Sequence, residues 1–341
     1  MTGASAPYRF ELEKFFPVEM FAQITTIRVQ QPSLILDQAR DRKQRTALTT
    51  DGKFTLLAAD HPGRGVTRLA DDPFGLANRY QFLGRVVRVL TASAFDGFMG
   101  TPDMIEDLLI VDHLFRAAGR PSFLDDRVLV GCMQRGGVAG VQGEIDDRFG
   151  SYTAEALHRF YLDGGKMMFR FVPADERTLR TIDYCAQAIN ELTRLNLTPF
   201  VEPLRMDFEA GAWVMKNTAD ELVKLVGVIS ALGETSARTW IKLPYCEDFA
   251  RVAQATTLPL LMLGGDTHGD PRPIYESFAS GMRAGSNVRG VMVGRNVLFP
   301  GNEDPAAVAA AVHAIVHHDC SVDEAIKIHQ ARRDANPVPP V

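Results

Sequence analysis

A lysine inside one of the apolar runs of this sequence has the clearest capacity for chemistry. Lys242 lies between Trp240-Ile241 and Leu243-Pro244. A lysine in an apolar strand is unfavourable unless its ammonium group is paired or its pKa is depressed. A depressed pKa suits a nucleophilic amine, because only the free amine attacks a carbonyl carbon to form a Schiff base. Lys242 is therefore a candidate nucleophile, and the alternative is a structural ion pair with a carboxylate.

Polar residues that end other apolar runs have the types needed for proton transfer and anion binding. Glu202 is a candidate acid/base, since a buried carboxylate with a raised pKa can move protons; the alternative is a structural partner of a cation. Asp60 is a candidate to orient the lysine or bind a substrate hydroxyl, and Gln134 is a candidate substrate ligand. Arg170 should point inward, where it would neutralise Glu202 or bind a carboxylate or phosphate of a substrate. His61 is better explained as a structural neighbour of Asp60.

Two glycine turns late in the sequence indicate a phosphate site. Gly264-Gly265 follows the seventh apolar run, and Gly294-Arg295 follows the eighth. Glycines allow backbone N–H groups to approach a phosphate closely, and an arginine adds charge-assisted hydrogen bonds. Because glycine is common in ordinary turns, it is the position of both turns after the last two runs that favours phosphate binding.

Eight short apolar runs must position these residues, and helical patterns such as Asp175–Leu195, Ala219–Leu232 and Pro305–Val316 separate them. This alternation predicts an α/β protein with a (β/α)8 barrel, or TIM barrel, whose strand ends carry the active site. The alternative, a doubly wound open sheet, would more naturally have its glycine-rich turn after the first strand. The predicted strands are Phe54–Ala59, Phe95–Met99, Val128–Met133, Lys166–Val172, Pro199–Leu204, Thr239–Leu243, Leu258–Leu263 and Gly290–Val293.

The barrel is predicted to carry helical additions at both ends of the chain. An N-terminal helical extension, with helices at Phe10–Ile27 and Ser33–Lys43, is expected to cover the N-terminal end of the barrel. An extra C-terminal helix, Ser321–Arg333, has a serine cap and Glu324 at the capping-box position. The predicted parts are the extension at 1–47, the barrel at 48–318, and the C-terminal helix and tail at 319–341.

Composition narrows the class of protein. The chain has 341 residues and a formal net charge of −5, which argues against a broad surface for nucleic acid or anionic membranes. No apolar run approaches the length that crosses a bilayer, and Met1–Arg9 lacks the pattern of a signal peptide. The four cysteines are widely spaced, as expected in a reducing compartment. We expect a cytoplasmic protein that binds a small molecule.

Five segments of the chain together are similar to a known family: Ala59-Asp60-His61, Phe200–Leu204, Ile241–Tyr245, Leu258–Gly265 and Gly290–Val297. They resemble the class I aldolases of the deoxyribose-phosphate, archaeal-type fructose-bisphosphate and tagatose-bisphosphate group. In that group a lysine on strand six forms the Schiff base, which implies Lys242. A Gly-Arg turn after strand eight binds phosphate, which implies Gly294-Arg295. The strand-five glutamate of the tagatose branch is a proposed acid/base, which implies Glu202.

The layout most closely resembles an actinobacterial subgroup associated with inositol catabolism. That resemblance implies cleavage of 5-dehydro-2-deoxy-6-phosphogluconate to dihydroxyacetone phosphate and malonate semialdehyde. The tagatose branch has a lysine on strand four where this sequence places Arg170, while Lys166 lies at the start of that strand. Arg170 would suit a substrate that has a carboxylate as well as a phosphate. The glycine-rich stretch Gln134–Gly143 also departs from the small members of the group.

The sequence thus predicts an enzyme in which Lys242 attacks the ketone of a phosphorylated sugar. Glu202 would take the proton of the hydroxyl on the departing carbon, and Tyr245 or Glu202 would protonate the enamine. No metal or cofactor is expected, and we expect a homo-oligomer. Three alternatives stay open: a fructose- or tagatose-bisphosphate-type aldolase, a non-catalytic barrel that senses a sugar phosphate, and a metal-dependent aldolase or isomerase. The metal enzyme would draw its ligands from Asp60-His61 and Asp266-His268.

Overall fold

The structure, a computed structural model, describes residues 8–134, 142–266 and 269–335. In chain order the strands are β1 (Phe54–Ala59), β2 (Gly97–Gly100), β3 (Val128–Cys132), β4 (Gly164–Phe171), β5 (Thr198–Glu209), β6 (Ala212–Met215), β7 (Trp240–Pro244), β8 (Leu260–Leu263) and β9 (Val288–Val293). All except β6 form a parallel sheet in the order β4-β3-β2-β1-β9-β8-β7-β5, and β4 also pairs with β5. This pairing closes the ring, so the predicted TIM barrel is confirmed and the open sheet is excluded.

Helices surround the ring. In chain order they are α1 (Val18–Gln30), α2 (Leu34–Asp41), α3 (Arg79–Ala92), α4 (Pro102–Ala117), α5 (Ala154–Arg159), α6 (Arg177–Arg194), α7 (Ala219–Ser230), α8 (Phe249–Gln254), α9 (Arg272–Met282), α10 (Arg295–Leu298), α11 (Pro305–His318) and α12 (Val322–Arg332). The predicted C-terminal helix is confirmed as α12, which has the expected capping box between Ser321 and Glu324. Among the described residues, no helix combines the length and apolar character needed to cross a bilayer.

The N-terminal helices lie beside the barrel, which corrects the expectation that they cover its N-terminal end. Both α1 and α2 pack against α4. The chain after α2 reaches that end instead, where Arg42 donates a hydrogen bond to the Arg127 carbonyl and Leu48 packs against the barrel interior. Helix α1 begins only at Val18 because Pro17 disfavours a helical conformation in the residue before it.

Alternation along the strands separates the barrel interior from its outer surface. At the N-terminal end, the rings of Phe54, Phe200 and Trp240 pack together with centroids 5.8 to 6.3 Å apart. Gly290 allows β9 to approach β1 closely, since a Cβ there would lie 1.9 Å from the Phe54 carbonyl oxygen and its φ is +139°. The interior cluster above these rings is apolar, and the charged groups of the interior lie near the C-terminal end. The interior cluster comprises Phe54, Leu56, Ala58, Met99, Val128, Val130, Cys132, Phe200, Leu261 and Met292.

Strand β5 continues past its predicted end into a hairpin. It extends to Glu209, and its last residues pair with β6 in antiparallel register. The Phe208 and Trp213 rings pack across the hairpin with centroids 5.0 Å apart. Residues 204–209 alternate apolar and polar side chains, and a glycine, Gly211, lies in the turn at φ 84°. This alternation is the pattern that predicts a hairpin, so the sequence contained the signal.

A fully buried ion pair outside the ring generates a stability prediction. Arg88 of α3 lies 2.6 Å from the Asp304 carboxylate, and neither side chain has exposed surface. Asp304→Asn keeps the side-chain oxygen that caps α11 but removes the counter-charge, so the free energy of unfolding should fall by about 3–5 kcal/mol. Urea denaturation measures the change. Glu234→Gln, which breaks the exposed pair with Arg194, is the matched control and should cost less than about 1 kcal/mol; equal losses would contradict the prediction.

Candidate active site

Two lysines and two carboxylates meet inside the C-terminal end of the barrel. Lys166 Nζ lies 3.0 Å from Asp60 Oδ2 and 2.7 Å from Glu202 Oε2. Lys242 Nζ lies 3.1 Å from the same Glu202 oxygen. All four side chains are buried. The structure therefore brings together three of the predicted residues, Asp60, Glu202 and Lys242, and adds Lys166.

Lys166 is a site residue that sequence analysis missed. Its Cα pairs with that of Phe200, two residues below Glu202 on the neighbouring strand. From this deeper position the long side chain carries its ammonium group up to the carboxylates. Alternation turns Lys166, Met168 and Arg170 toward the same side of β4, so the sequence predicts that the Lys166 side chain points inward. The sequence does not predict how far along the barrel axis Lys166 lies.

The pKa values of this cluster follow from burial and from its ion pairs. Burial alone would lower the pKa of Lys166, but the Asp60 and Glu202 carboxylates outweigh it and raise that pKa above its usual range. Burial alone would raise the pKa of Glu202, as expected from the sequence, but Lys166 and Lys242 lower it to about 2, so the expected rise is wrong. For Asp60, the cations, Lys166 foremost, outweigh burial and hold the pKa well below its usual range. Lys166 is therefore a fixed cation between two carboxylates.

Lys242 has the opposite balance. Burial lowers its pKa, the Glu202 carboxylate opposes that effect, and the Lys166 ammonium group adds to it. Because Glu202 Oε2 also binds Lys166 at the shorter distance, the carboxylate only partly compensates, and the pKa of Lys242 falls below its ordinary value. The arrangement favours a neutral amine, which is the form that attacks a carbonyl.

Arg170 and Gln134 are engaged by groups outside this cluster. The Arg170 guanidinium lies 2.5 Å from the Glu144 carboxylate and 3.0 Å from that of Asp147, and both partners are buried. Arg170 thus pairs with these carboxylates, whereas the sequence predicted that it would bind substrate or neutralise Glu202. The Gln134 side-chain amide donates to the Met168 carbonyl at 3.3 Å. Residues 135–141 of the glycine-rich stretch lie outside the described residues.

Tyr245 lies outside the barrel, which corrects its predicted place in the site. Its hydroxyl donates to Ser280 Oγ of α9 at 2.9 Å, and its ring packs against Phe249. The reason is alternation: Lys242 points inward, so a residue three positions along the same extended chain points outward. Of the two residues expected to protonate the enamine, only Glu202 lies in the cluster.

The two glycine turns are joined to each other. Asn296 Nδ2 donates to the Gly264 carbonyl at 2.5 Å, which ties the turn after β8 to the turn after β9. A Cβ on Gly264 would lie 2.0 Å from Asn296 Oδ1, and Gly265 has a φ of +74°. Gly264 thus leaves room for the Asn296 side chain, and the left-handed backbone at Gly265 favours glycine. A cavity of about 320 Å³ adjoins both positions.

The Gly294-Arg295 turn lies against the end of β1. A Cβ on Gly294 would lie 2.6 Å from the Ala58 carbonyl oxygen, so only glycine allows this approach. Arg295 contacts the Asp266 carboxylate, whose side chain is 67% exposed. This pair is open to solvent, in contrast with the buried pairs of Arg170.

Two residues that follow Asp60 also belong to the mouth of the barrel, although the sequence favoured a structural role for His61 and assigned no role to Arg64. The position of a Cβ on Gly294 is 2.6 Å from His61 Cε1, so the ring packs on the glycine turn. Burial, aided by nearby arginines and Lys242, lowers the pKa of His61 to about 3. For Arg64, Asp60 and Glu202 outweigh burial and raise the pKa. His61 and Arg64 come just after the end of β1, and this position was the sequence signal that could have assigned them to the site.

The described residues hold no group of three or more His, Cys, Asp or Glu side chains arranged to bind a metal ion. This finding covers Asp60-His61, one of the two segments from which a metal enzyme would draw ligands. The other segment, Asp266-His268, is only partly covered, because Thr267 and His268 lie outside the described residues.

A protein-family model and a crystal structure both match most of the chain. A family model described as Cgl0159-like matches residues 52–316. The crystal structure of Cgl0159 from Corynebacterium glutamicum is 33% identical in sequence and has a TM-score of 0.82. The match covers 89% of this chain and 99% of that chain.

More distant matches share the barrel or part of the sequence. The fructose-bisphosphate aldolase from Slackia heliotrinireducens is 12% identical with a TM-score of 0.62, covering 96% of this chain and 97% of that chain, a likeness of fold. The 2-amino-3,7-dideoxy-D-threo-hept-6-ulosonate synthase of Halobacterium salinarum is 33% identical over 126 residues. That alignment covers 37% of this chain and 45% of the synthase, so the chain matches less than half the length of this curated relative.

The shared Glu202 oxygen predicts that Lys166 controls the pKa of Lys242. Lys166→Met removes a like charge and leaves the carboxylate to Lys242 alone, so the pKa of Lys242 should rise and its neutral form should appear only at higher pH. Lys166→Arg keeps the charge and should cause a smaller rise. NMR of lysines labelled with ¹³C at Cε measures the pKa, with the Lys242 signal assigned by its loss in Lys242→Ala. An unchanged or lower pKa in Lys166→Met would refute this account.

Proposed function

The chain belongs to the Cgl0159-like family, and we propose that it is a class I aldolase that acts on a phosphorylated keto-sugar or keto-sugar acid through a Schiff base on Lys242. One observation carries the proposal: the buried side chains of Lys242 and Lys166 share one oxygen of Glu202. Burial and the Lys166 charge lower the pKa of Lys242, while the carboxylates raise that of Lys166. The similarity to a hept-6-ulosonate synthase and the fold shared with a fructose-bisphosphate aldolase agree with it.

In the proposed mechanism the neutral amine of Lys242 attacks the ketone carbon, and loss of water gives a protonated imine. The imine accepts the electron pair of the adjacent carbon–carbon bond as Glu202 takes the proton of the hydroxyl on the departing carbon. That carbon leaves as an aldehyde, and an enamine remains on Lys242. Glu202 returns the proton to the enamine carbon, and water hydrolyses the imine to release the ketone product and the free amine.

Lys166 and Asp60 prepare these groups for the reaction. The ammonium group of Lys166 disfavours a second cation on Lys242 and keeps Glu202 ionised, so that Glu202 can accept a proton. Asp60 balances the charge of Lys166 and, in this proposal, binds a substrate hydroxyl. Neither group needs to change its charge during the reaction.

We propose that the substrate phosphate binds at the joined glycine turns, through the backbone N–H groups of Gly264, Gly265 and Gly294 and through Arg295. The Arg295 partner, Asp266, is mostly exposed, so a phosphate can replace it at low cost in desolvation. Our preferred substrate is 5-dehydro-2-deoxy-6-phosphogluconate, which would yield dihydroxyacetone phosphate and malonate semialdehyde. The sequence resemblance to the inositol-catabolism subgroup supports this choice.

Borohydride trapping tests the Schiff base. With dihydroxyacetone phosphate or the preferred substrate, borohydride should reduce the imine and leave a stable adduct on Lys242, which peptide mass spectrometry locates. Lys242→Ala should lose the adduct and lower kcat on the order of 10⁴-fold or more, with its unfolding temperature retained. Lys224→Ala, at an exposed lysine of α7, is the matched control and should keep both adduct and turnover.

Other outcomes would favour other functions. Turnover without an adduct on Lys242 would refute the mechanism, and loss of turnover in EDTA would indicate a metal-dependent enzyme. Tight binding of sugar phosphates without turnover would indicate a sensor. Detection of dihydroxyacetone phosphate from a panel of ketose bisphosphates and the preferred keto acid identifies the substrate.

A further inference from the structure

We propose that Arg64 binds a second anionic group of the substrate, at the end remote from the phosphate, so that the enzyme selects substrates with an anion at both ends. This inference rests on the proposed function, since it concerns the far end of a substrate bound in the same site. Its grounds are the position of Arg64 in the barrel, its incomplete pairing and its charge.

Arg64 reaches across the mouth of the barrel. It lies on the 3-10 turn Pro62–Arg64 after β1, next to the strand that carries the Gly294 turn. Its Nη2 atom nevertheless lies 4.0 Å from Glu144 Oε1, in the connection from β3 to β4. In this ring β3 and β4 lie opposite β8 and β9. A substrate whose phosphate binds after β8 and β9 therefore directs its other end toward the guanidinium of Arg64.

The guanidinium of Arg64 is the cation at this mouth with the weakest pairing. Within the described residues its one ion pair is with Glu144 at 4.0 Å, and Arg170 already holds that carboxylate at 2.5 Å. Lys166 by contrast has two carboxylates at 3.0 Å or less. The Arg64 side chain is only 18% exposed, so water replaces few of the missing partners. A mostly desolvated cation without a close partner is well placed to gain from an incoming anion.

The chemistry of the second anion follows from the guanidinium. Its planar fork matches a carboxylate with two parallel hydrogen bonds, and it also binds phosphate. Asp60 and Glu202 raise the pKa of Arg64, so the group stays charged. In the proposed cleavage this end leaves as the aldehyde, which means that Arg64 selects the aldehyde partner. A carboxylate there corresponds to a keto-sugar acid, and a phosphate corresponds to a ketose bisphosphate.

The synthetic direction of the reaction tests this inference. Dihydroxyacetone phosphate is combined with succinate semialdehyde, with glyceraldehyde 3-phosphate or with uncharged glyceraldehyde, and kcat/KM is measured for each aldehyde. The wild type should prefer an anionic aldehyde. Arg64→Met should lower kcat/KM for that aldehyde by about 10- to 100-fold and for glyceraldehyde by less than about threefold, as expected for loss of a charge-assisted contact. The aldehyde with the larger loss identifies the second anion as carboxylate or phosphate.

Two further variants separate recognition from structure. Arg64→Lys keeps the charge without the fork and should recover part of the lost kcat/KM. Arg68→Met changes an exposed arginine nearby in the same connection and should leave every aldehyde unaffected. Equal losses for charged and uncharged aldehydes in Arg64→Met, or no preference in the wild type, would overturn the inference. If Arg64→Met does not fold, the preference of the wild type for anionic over uncharged aldehydes tests the inference.

Failure of this inference is distinguishable from failure of the proposed function. Dihydroxyacetone phosphate has a single anionic group, so borohydride should still attach it to Lys242 in Arg64→Met. Labelling without aldehyde selectivity would leave the Schiff base intact and remove only the role of Arg64. Absence of labelling in the wild type would remove the proposed function itself.

Discussion

A single carboxylate oxygen, Glu202 Oε2, organises the active end of this barrel because two buried lysines share it. Counting charges would predict two ion pairs, since the cluster has two lysines and two carboxylates. The geometry gives a different result: Lys166 contacts both carboxylates, while Lys242 has only the oxygen that Lys166 holds more closely. Each buried ion costs several kcal/mol in lost hydration (about 20 kcal/mol in the idealised limit). The unequal sharing therefore stabilises the charge on Lys166 more than that on Lys242, whose pKa burial and the Lys166 ammonium group lower.

The apolar interior beneath the cluster makes this unequal sharing effective. Lys242 pairs in register with Leu261, and the layers below are filled by apolar side chains down to the packed aromatic rings. The charges above are buried over this apolar layer, so they interact through protein more than through solvent and are weakly screened. The Cys132 thiol, 3.7 Å from Asp60 Oδ2, belongs to this layer; burial raises its pKa to about 12, so it stays protonated and donates to the carboxylate.

The sequence predicted the parts of the site that depend on strand identity and missed those that depend on register. Lys242 and Glu202 lie in recognisable apolar runs and Asp60 follows one, and a parallel barrel places the C-terminal parts of its strands at one end. Lys166 depends on how β4 pairs with β5, which sets its Cα two residues below Glu202, and no local pattern encodes that offset. The error at Tyr245 has a different origin, since alternation from Lys242 already predicted that it points outward.

Whether an arginine at the mouth of the barrel can bind a ligand depends on how exposed its carboxylate partners are. Arg170 faces the same space as the lysines, but its partners Glu144 and Asp147 are buried, so freeing it would strand two carboxylates away from water. Arg295 contacts Asp266 on an open loop, where a displaced carboxylate is rehydrated at once. The sequence assigned both arginines to substrate binding because it shows the cation and not the surroundings of its partner. The free-energy cost of breaking each ion pair distinguishes the two arginines. The buried pairs of Arg170 are part of the fold, whereas a phosphate can replace Asp266 at Arg295.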